Sequence, residues 1–114
     1  MRLSEIITLV PSAAYTASFD TKSAPYHVSG FAEADFYLDV TAKSGTTPTL
    51  DVSIIKRNTI DGKWYPLSVF AQQNTTASIE QDCPSNIGWD IAVDVVITGN
   101  TPSFTFSLVA VLKD

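Results

Sequence analysis

The feature that most constrains the fold of this chain is a Gly-x-Thr-Pro segment that occurs twice. Residues 45–48 read Gly-Thr-Thr-Pro and residues 99–102 read Gly-Asn-Thr-Pro, and both lie between stretches of alternating apolar residues. Glycine tolerates a positive φ, and proline fixes φ while removing a donor from the strand ladder. We therefore predict that the chain twice builds a strand, a turn at this segment and a second strand, as a β-hairpin scaffold.

Alternation with a period of two continues along most of the chain, whereas the six prolines interrupt any long helical pattern. The clearest stretches are residues 34–42, 49–58, 63–70, 89–98 and 103–112. Shorter candidate strands cover residues 6–10, 13–18, 26–29 and 77–81. About eight strands with frequent turns predict an all-β fold, an antiparallel, jelly-roll-like β-sandwich. The Asp61-Gly62 pair is the strongest short hairpin signal.

The length of 114 residues suits one domain with one core. We expect residues 13–114 to form the single β-sandwich domain and residues 1–12 to form an N-terminal arm or a first strand. This arm is too apolar to remain in water, and Pro11 separates it from the next candidate strand. It could pair with the sheet of its own subunit or add a strand to the sheet of a neighbour.

The last predicted strand is apolar on both faces, because Val109 and Val111 occupy its nominally outer side. Val96 has the same position on the strand before it. A strand that is apolar on both sides is more often a covered central strand than an edge. We expect this strand to be covered either by the N-terminal segment of the same chain or by another subunit, and cover by the same chain is the favoured alternative.

Composition argues against several function classes. A net charge of −5 disfavours nucleic-acid binding, which needs a basic surface. A single cysteine cannot form a disulfide within the chain, and no apolar run approaches the ~20 residues of a membrane helix. The N-terminus is a poor signal peptide because an acid, Glu5, comes early and no long apolar run follows. We expect synthesis in the cytoplasm, with no membrane partner.

The chain offers little material for catalysis or for a cofactor. His27 is the only histidine, and no nucleophile motif accompanies it or Cys83. One histidine and one cysteine are too few for a zinc site. Three outward acids, Asp39, Asp51 and Asp94, could hold calcium if their strands are neighbours, but the ligand spacing of a calcium loop is missing. We therefore expect no enzymatic activity, no cofactor and no metal.

Exposed aromatic side chains allow one binding function. Trp64 and Tyr65 follow the Asp61-Gly62 turn, and a sandwich that exposes a row of aromatic rings can hold a sugar. Adjacent strand residues face opposite sides of the sheet, so the favoured alternative places one of the two in the core and the other over the sheet edge.

Three runs of sequence resemble the small structural proteins of tailed bacteriophages. They are Leu38–Val52, with its Ser-Gly-Thr-Thr-Pro-Thr-Leu-Asp-Val core, Thr59–Tyr65 and Gly99–Ser107. The resemblance implies a virion component and, within that class, a capsid decoration (cement) protein with a jelly-roll-like sandwich that clamps neighbouring major capsid subunits and stabilises the expanded head. It implies no catalytic residues. The region before Ala34 carries no such resemblance.

A clamp of this kind predicts the major capsid protein and further copies of the chain, as a dimer or trimer, as its partners. Its location would be the capsid surface of the virion. The predicted contact residues combine the two-sided apolar segments with the two Gly-x-Thr-Pro turns: Ile6, Leu9, Val10, Val109, Val111, Thr47, Pro48, Thr101 and Pro102. The alternatives are a tail or head–tail connector component, or a carbohydrate-binding module displayed on the virion through Trp64 and Tyr65.

Overall fold

A computed structural model describes residues 4–74 and 78–114 of the chain. The first three residues of the predicted arm, and Ala77 at the start of a predicted strand, lie outside these ranges. Within them the chain forms seven β-strands and no helix, and every strand pairing is antiparallel. The strands are β1 (Ser4–Tyr15), β2 (Phe19–Asp20), β3 (Tyr26–His27), β4 (Glu33–Arg57), β5 (Trp64–Val69), β6 (Ser78–Asp82) and β7 (Asp90–Lys113).

Two very long strands, β4 and β7, form the frame of the molecule. They pair with each other from Glu33↔Lys113 at one end to Lys56↔Ile91 at the other. A straight strand of 25 residues would span about 80 Å, since each residue adds about 3.3 Å. The longest dimension of the molecule is 46 Å. The β4–β7 ribbon must therefore bend back on itself.

The bend lies where the two Gly-x-Thr-Pro segments meet. Thr46 pairs with Asn100, and the register shifts on both sides of this pair. Gly45 and Gly99 have φ values of 110° and 122°, and Thr47 and Thr101 both have φ of 48°. The prediction of two hairpins is therefore wrong. The strands on either side of each turn do not pair with each other. The two copies instead pair across the ribbon, and both strands bend at the same place because each contains residues with a positive φ.

Bending divides the ribbon between two layers. Sheet 1 contains β1, residues 103–113 of β7, residues 33–44 of β4, and β6. Sheet 2 contains β2 and β3, residues 90–98 of β7, residues 49–57 of β4, and β5. The prediction of an all-β antiparallel sandwich is confirmed, although two of its strands each run through both sheets.

The core lies between the inner faces of the two sheets, where the alternation in the sequence places every second side chain. Buried residues of both sheets form one contiguous cluster. Sheet 1 contributes Phe36, Leu38, Val40, Phe104, Phe106 and Leu108, and sheet 2 contributes Leu50, Val52, Ile54, Ile91, Val93 and Val95. Burial of these side chains is the main force that holds the layers together.

Local connections follow the sequence more closely. The Asp61-Gly62 signal is confirmed, because β4 pairs with β5 through a turn in which the Asn58 N–H donates to the Lys63 carbonyl at 2.8 Å. At the other edge, β1 pairs with residues 104–113 of β7 of its own chain. Register shifts between Thr8 and Ala13 let β1 continue past Pro11, which the sequence suggested would separate two strands.

Candidate functional site

The outer face of sheet 1 carries a band of apolar side chains, formed by Ile6, Val111, Val109, Tyr37 and Ile79. Pairing brings them together: Ile6 lies opposite Val111, and Val109 lies between Thr8 and Tyr37. Ile79 follows on β6 beside Tyr37, lining the same shallow cavity. Ile6 and Ile79 are 73% and 78% exposed. This apolar band crosses all four strands of the sheet, so it is a surface feature and not a single stray side chain.

The residues predicted to contact a partner on this side differ in how far they are exposed. Ile6 is exposed, and Val109 and Val111 are half-buried by their neighbours in the sheet. Leu9 and Val10 are each only 2% exposed. The expectation that these two are accessible is wrong, because the register shift after Thr8 turns consecutive residues of β1 towards the core.

Polar groups border the apolar band at the end where β4 begins. The Lys113 Nζ lies 2.6 Å from the Asp35 Oδ2, and the Tyr37 hydroxyl donates to the same oxygen at 3.4 Å. Lys113 is the main cause that lowers the pKa of Asp35 below its ordinary value, with a hydrogen bond from Cys83 second. The same bond to Asp35 raises the pKa of the Cys83 thiol. The border thus combines one ion pair with an exposed thiol whose pKa lies above its ordinary value.

The predicted contact residues of the two turns come together at the bend of the ribbon. Thr47 and Thr101 are exposed, Pro102 is half-buried and Pro48 is buried. Pro48 is covered because the facing copy approaches closely: a Cβ placed on Gly99 would lie 2.9 Å from the Pro48 Cα. The sequence correctly grouped these residues at one end, but Pro48 is not accessible to a partner.

The other end of sheet 2 carries an open cleft of about 520 Å³, here called the end cleft. Its lining includes two aromatic side chains, Tyr65 and Trp89, which are 41% and 65% exposed, and two cationic residues, Lys56 and Arg57. Asn58, Thr59 and Gly88 complete the lining. Arg57 lies nine steps along extended β4 from Pro48, so the end cleft lies about 30 Å along the strand from the bend.

The aromatic pair predicted from the sequence is only half present in the end cleft. Tyr65 lines it, but Trp64 lies over Arg57, whose guanidinium carbon is 5.3 Å from the Trp64 ring centroid. The second aromatic side chain of the end cleft is Trp89. The alternation of residues 89–98 predicted that Trp89 would face the core. Trp89 instead directly precedes β7, after Gly88 with φ of 83°, so the strand pattern does not apply to it. The adjacent Ser-Asn-Ile-Gly stretch was the available loop signal.

His27 and Asp90 form a pair beside the end cleft. The His27 Nδ1 lies 2.5 Å from the Asp90 Oδ1, and Arg57 pairs with the other carboxylate oxygen. Arg57 first and His27 second lower the pKa of Asp90 below its ordinary value. Among the described residues, no hydroxyl or thiol forms a hydrogen bond with the His27 side chain. Asp90 forms ion pairs that join β3, β4 and β7.

The acids considered for calcium do not meet. Asp39 lies on sheet 1, opposite Ser107, whereas Asp51 and Asp94 lie on sheet 2. Over residues 4–74 and 78–114, no three or more histidine, cysteine or acidic side chains are grouped so that they could hold a metal ion. The described part of the chain also contains no helix with the length and apolarity to cross a membrane.

The fold is shared with proteins of viral and phage origin. The SPBc2 prophage-derived protein YomS matches 100% of this chain and 96% of its own, with a TM-score of 0.60 and 13% identity. The infectious bursal disease virus VP2 subviral particle matches 98% of this chain, with a TM-score of 0.65 and 12% identity. The matched part is 32% of the VP2 chain, so this chain corresponds to about a third of VP2.

The same sandwich also occurs in carbohydrate-binding modules. The CBM22-1 xylan-binding domain of Paenibacillus barcinonensis Xyn10C matches 98% of this chain and 85% of its own, with a TM-score of 0.56 and 12% identity. At these identities the likeness establishes the fold alone. The sequence matches no known family model and no curated protein.

Proposed function

We propose that this chain is a non-enzymatic structural protein of a virion, most specifically a capsid decoration (cement) protein. It attaches to the major capsid protein through the apolar band of sheet 1 and associates with further copies of itself as a dimer or trimer. The observation that best supports this proposal is that Ile6 and Ile79, at opposite sides of the apolar band, expose about three quarters of their surface. In this proposal the protein is made in the host cytoplasm and ends on the capsid surface.

The physical reason is that water solvates such a band poorly. Burying apolar surface contributes about 25 cal/mol per Å², so covering several aliphatic side chains favours association by a few kcal/mol. One such contact is weak by itself, but a shell presents many equivalent sites, and joining two or three subunits multiplies the effect. A ligand that binds only the expanded shell stabilises that state.

Two fold-level likenesses support a virion role. The match to the prophage-derived protein covers nearly the whole of both chains, and the second match is to a protein described as forming a subviral particle. The resemblance of Leu38–Val52 to small phage structural proteins points the same way.

Co-sedimentation with expanded capsids of the virus that encodes the chain tests this proposal. We expect the purified protein to pellet with the capsids and Ile79→Lys to lose that binding, because a lysine in the band places a charge against an apolar surface. Ile60→Lys is the matched control, since Ile60 is 94% exposed in the β4–β5 turn, away from the band. Failure of the unmodified protein to bind, or equal loss in both variants, would contradict the proposal.

A tail or head–tail connector component would use the same apolar band on a different partner. Separating heads from tails of disrupted virions and detecting the chain by mass spectrometry distinguishes these locations. Recovery with tails alone would replace the cement assignment with the tail alternative.

Carbohydrate binding is a second candidate function. The observation that favours it is the end cleft, where the exposed rings of Tyr65 and Trp89 line one opening. A module of this kind, displayed on a virion, would bind saccharides at a surface. Loss of saccharide binding in Trp89→Ala, with capsid binding retained, would assign the two functions to separate parts of the molecule.

A further inference from the structure

We propose that the end cleft binds an acidic saccharide: the rings of Tyr65 and Trp89 pack against the C–H faces of the sugar, and Lys56 binds its carboxylate. This inference rests on the carbohydrate-binding candidate above and names its substrate class. It is independent of attachment to a capsid, which involves the outer face of the other sheet.

The Tyr65 ring and the backbone that carries Trp89 are held in place before any ligand arrives. The Tyr65 hydroxyl donates to the Asp61 Oδ2 at 2.8 Å, which fixes the direction of the ring. The Trp89 carbonyl accepts a hydrogen bond from the Val28 N–H at 2.6 Å, and β7 begins at the next residue. Rigid aromatic side chains give a large contact area at a low cost in conformational entropy. An exposed tryptophan on a fixed backbone is therefore suited to stacking on a flat ligand.

The cationic residues of the end cleft differ in how far they are neutralised. Arg57 forms an ion pair with Asp90. Lys56 forms no ion pair with any described residue. Its Nζ donates to the Asn86 carbonyl at 3.0 Å, and two further N–H donors remain. Its stem lies beside Gly88, where a Cβ would be 3.6 Å from the Lys56 Cδ, so the side chain is directed along the wall of the cleft.

An uncompensated ammonium in this cleft selects for negative charge. The chain as a whole carries −5, so its net charge repels an anionic ligand, and Lys56 supplies a local attraction in the cleft. Hydrogen bonds in which both groups are charged are about twice as strong as neutral ones. A ligand that combines flat apolar C–H faces with a carboxylate uses both kinds of group, and a sugar acid has this combination.

Titration calorimetry with four acidic saccharides tests the inference: polygalacturonate, alginate, hyaluronan and sialyllactose. We expect binding to at least one of them, weakened by added salt because part of the attraction is between charges. Trp89→Ala and Tyr65→Ala should each weaken it by about tenfold or more, the usual size for a central aromatic contact. Tyr37→Ala is the matched control, since Tyr37 has nearly the same exposure as Tyr65 but lies on sheet 1.

The role of the carboxylate is isolated by fully methyl-esterified polygalacturonate, which keeps the sugar faces and removes the charge, and by Lys56→Gln. We expect the ester to bind more weakly than the acid and Lys56→Gln to weaken binding of acidic saccharides alone. Equal binding of acid and ester, unaffected by Lys56→Gln, overturns the acidic specificity and leaves carbohydrate binding intact. Absence of binding to every saccharide, ester included, overturns both, whatever the outcome of capsid co-sedimentation.

Discussion

Replacing Gly45 by alanine tests whether the two Gly-x-Thr-Pro segments meet as described. A Cβ at this position would lie 2.7 Å from the Thr101 carbonyl oxygen and 2.9 Å from the Pro102 Cα, and both are backbone atoms that cannot rotate away. The φ of 110° also lies in a region that side chains other than glycine rarely adopt. The substitution therefore combines backbone strain with a clash across the ribbon.

The two contributions are of similar size. Strain at such a φ costs about 1–3 kcal/mol. Relieving the clash separates the strands beside Thr46↔Asn100, and losing two backbone hydrogen bonds adds about 1–3 kcal/mol. The sum is about 4 kcal/mol, a large part of the stability of a domain of this size. For 114 residues the entropy of unfolding is about 0.24 kcal/mol per kelvin, so the expected fall in Tm is about 17 °C.

The control is Gly30→Ala, because Gly30 has a comparable φ of 94° with nothing within 4 Å of the added Cβ. It carries strain alone, so we expect a loss of about 1–3 kcal/mol, or about 4–12 °C. Urea unfolding followed by tryptophan fluorescence, with equal m-values for all variants, measures the difference. If Gly45→Ala is no less stable than Gly30→Ala, the two segments do not approach each other and the bent ribbon is wrong.

Three further predictions test the register, the ion pairs and the thiol. Phe36→Ala should lower the free energy of unfolding in urea by about 3–5 kcal/mol and Tyr37→Ala by well under half of that, because only Phe36 faces the core; equal losses would contradict the register. The neighbours of Asp90 lower its pKa below the ordinary 3.8, so the stability that this carboxylate contributes is present above that pH and is lost as the pH falls through the lower pKa of the folded state. Asp90→Asn should therefore reduce the decrease of the urea midpoint with falling pH. An unchanged decrease would contradict this prediction. At mildly alkaline pH, Cys83 of the unmodified protein should react with iodoacetamide more slowly than Cys83 of Asp35→Asn, since the hydrogen bond to Asp35 raises the pKa of the thiol. Equal rates would refute this prediction.

Local patterns in the sequence predicted much of this fold. Period-two alternation identified inward side chains such as Phe36 and Phe106, because a residue's side of the sheet depends only on its place along the strand. The Asp61-Gly62 hairpin was predictable for a similar reason, since a short turn brings its own strands together. The exception is Trp89, to which the alternation was extended although the strand begins one residue later.

Pairing between distant segments could not be read in the same way. A glycine and a proline around a threonine indicate a change of direction, but they do not say which strand lies opposite. The Thr46↔Asn100 pair joins residues more than fifty positions apart, and nothing in either segment specifies the other. Likewise, the apolarity of Leu9 and Val10 was evident, but the register shift that turns both inward arises only when β1 pairs with β7.

The bent ribbon accounts for where the two candidate binding surfaces lie. At the bend, each copy of the Gly-x-Thr-Pro segment covers the other, and a Cβ on either glycine would meet backbone within 3 Å, so this end tolerates little change. The opposite end of sheet 2 is closed by turns, and Gly62, in one of them, has open space around it. A side chain added at Gly62 would meet no part of the ribbon, although its φ of 72° still favours glycine. The end cleft, with Tyr65 and Trp89, occupies that end, while the apolar band lies on the outer face of sheet 1. A ligand at the cleft therefore leaves the band free, and substitutions that separate saccharide binding from capsid binding should do so without loss of stability.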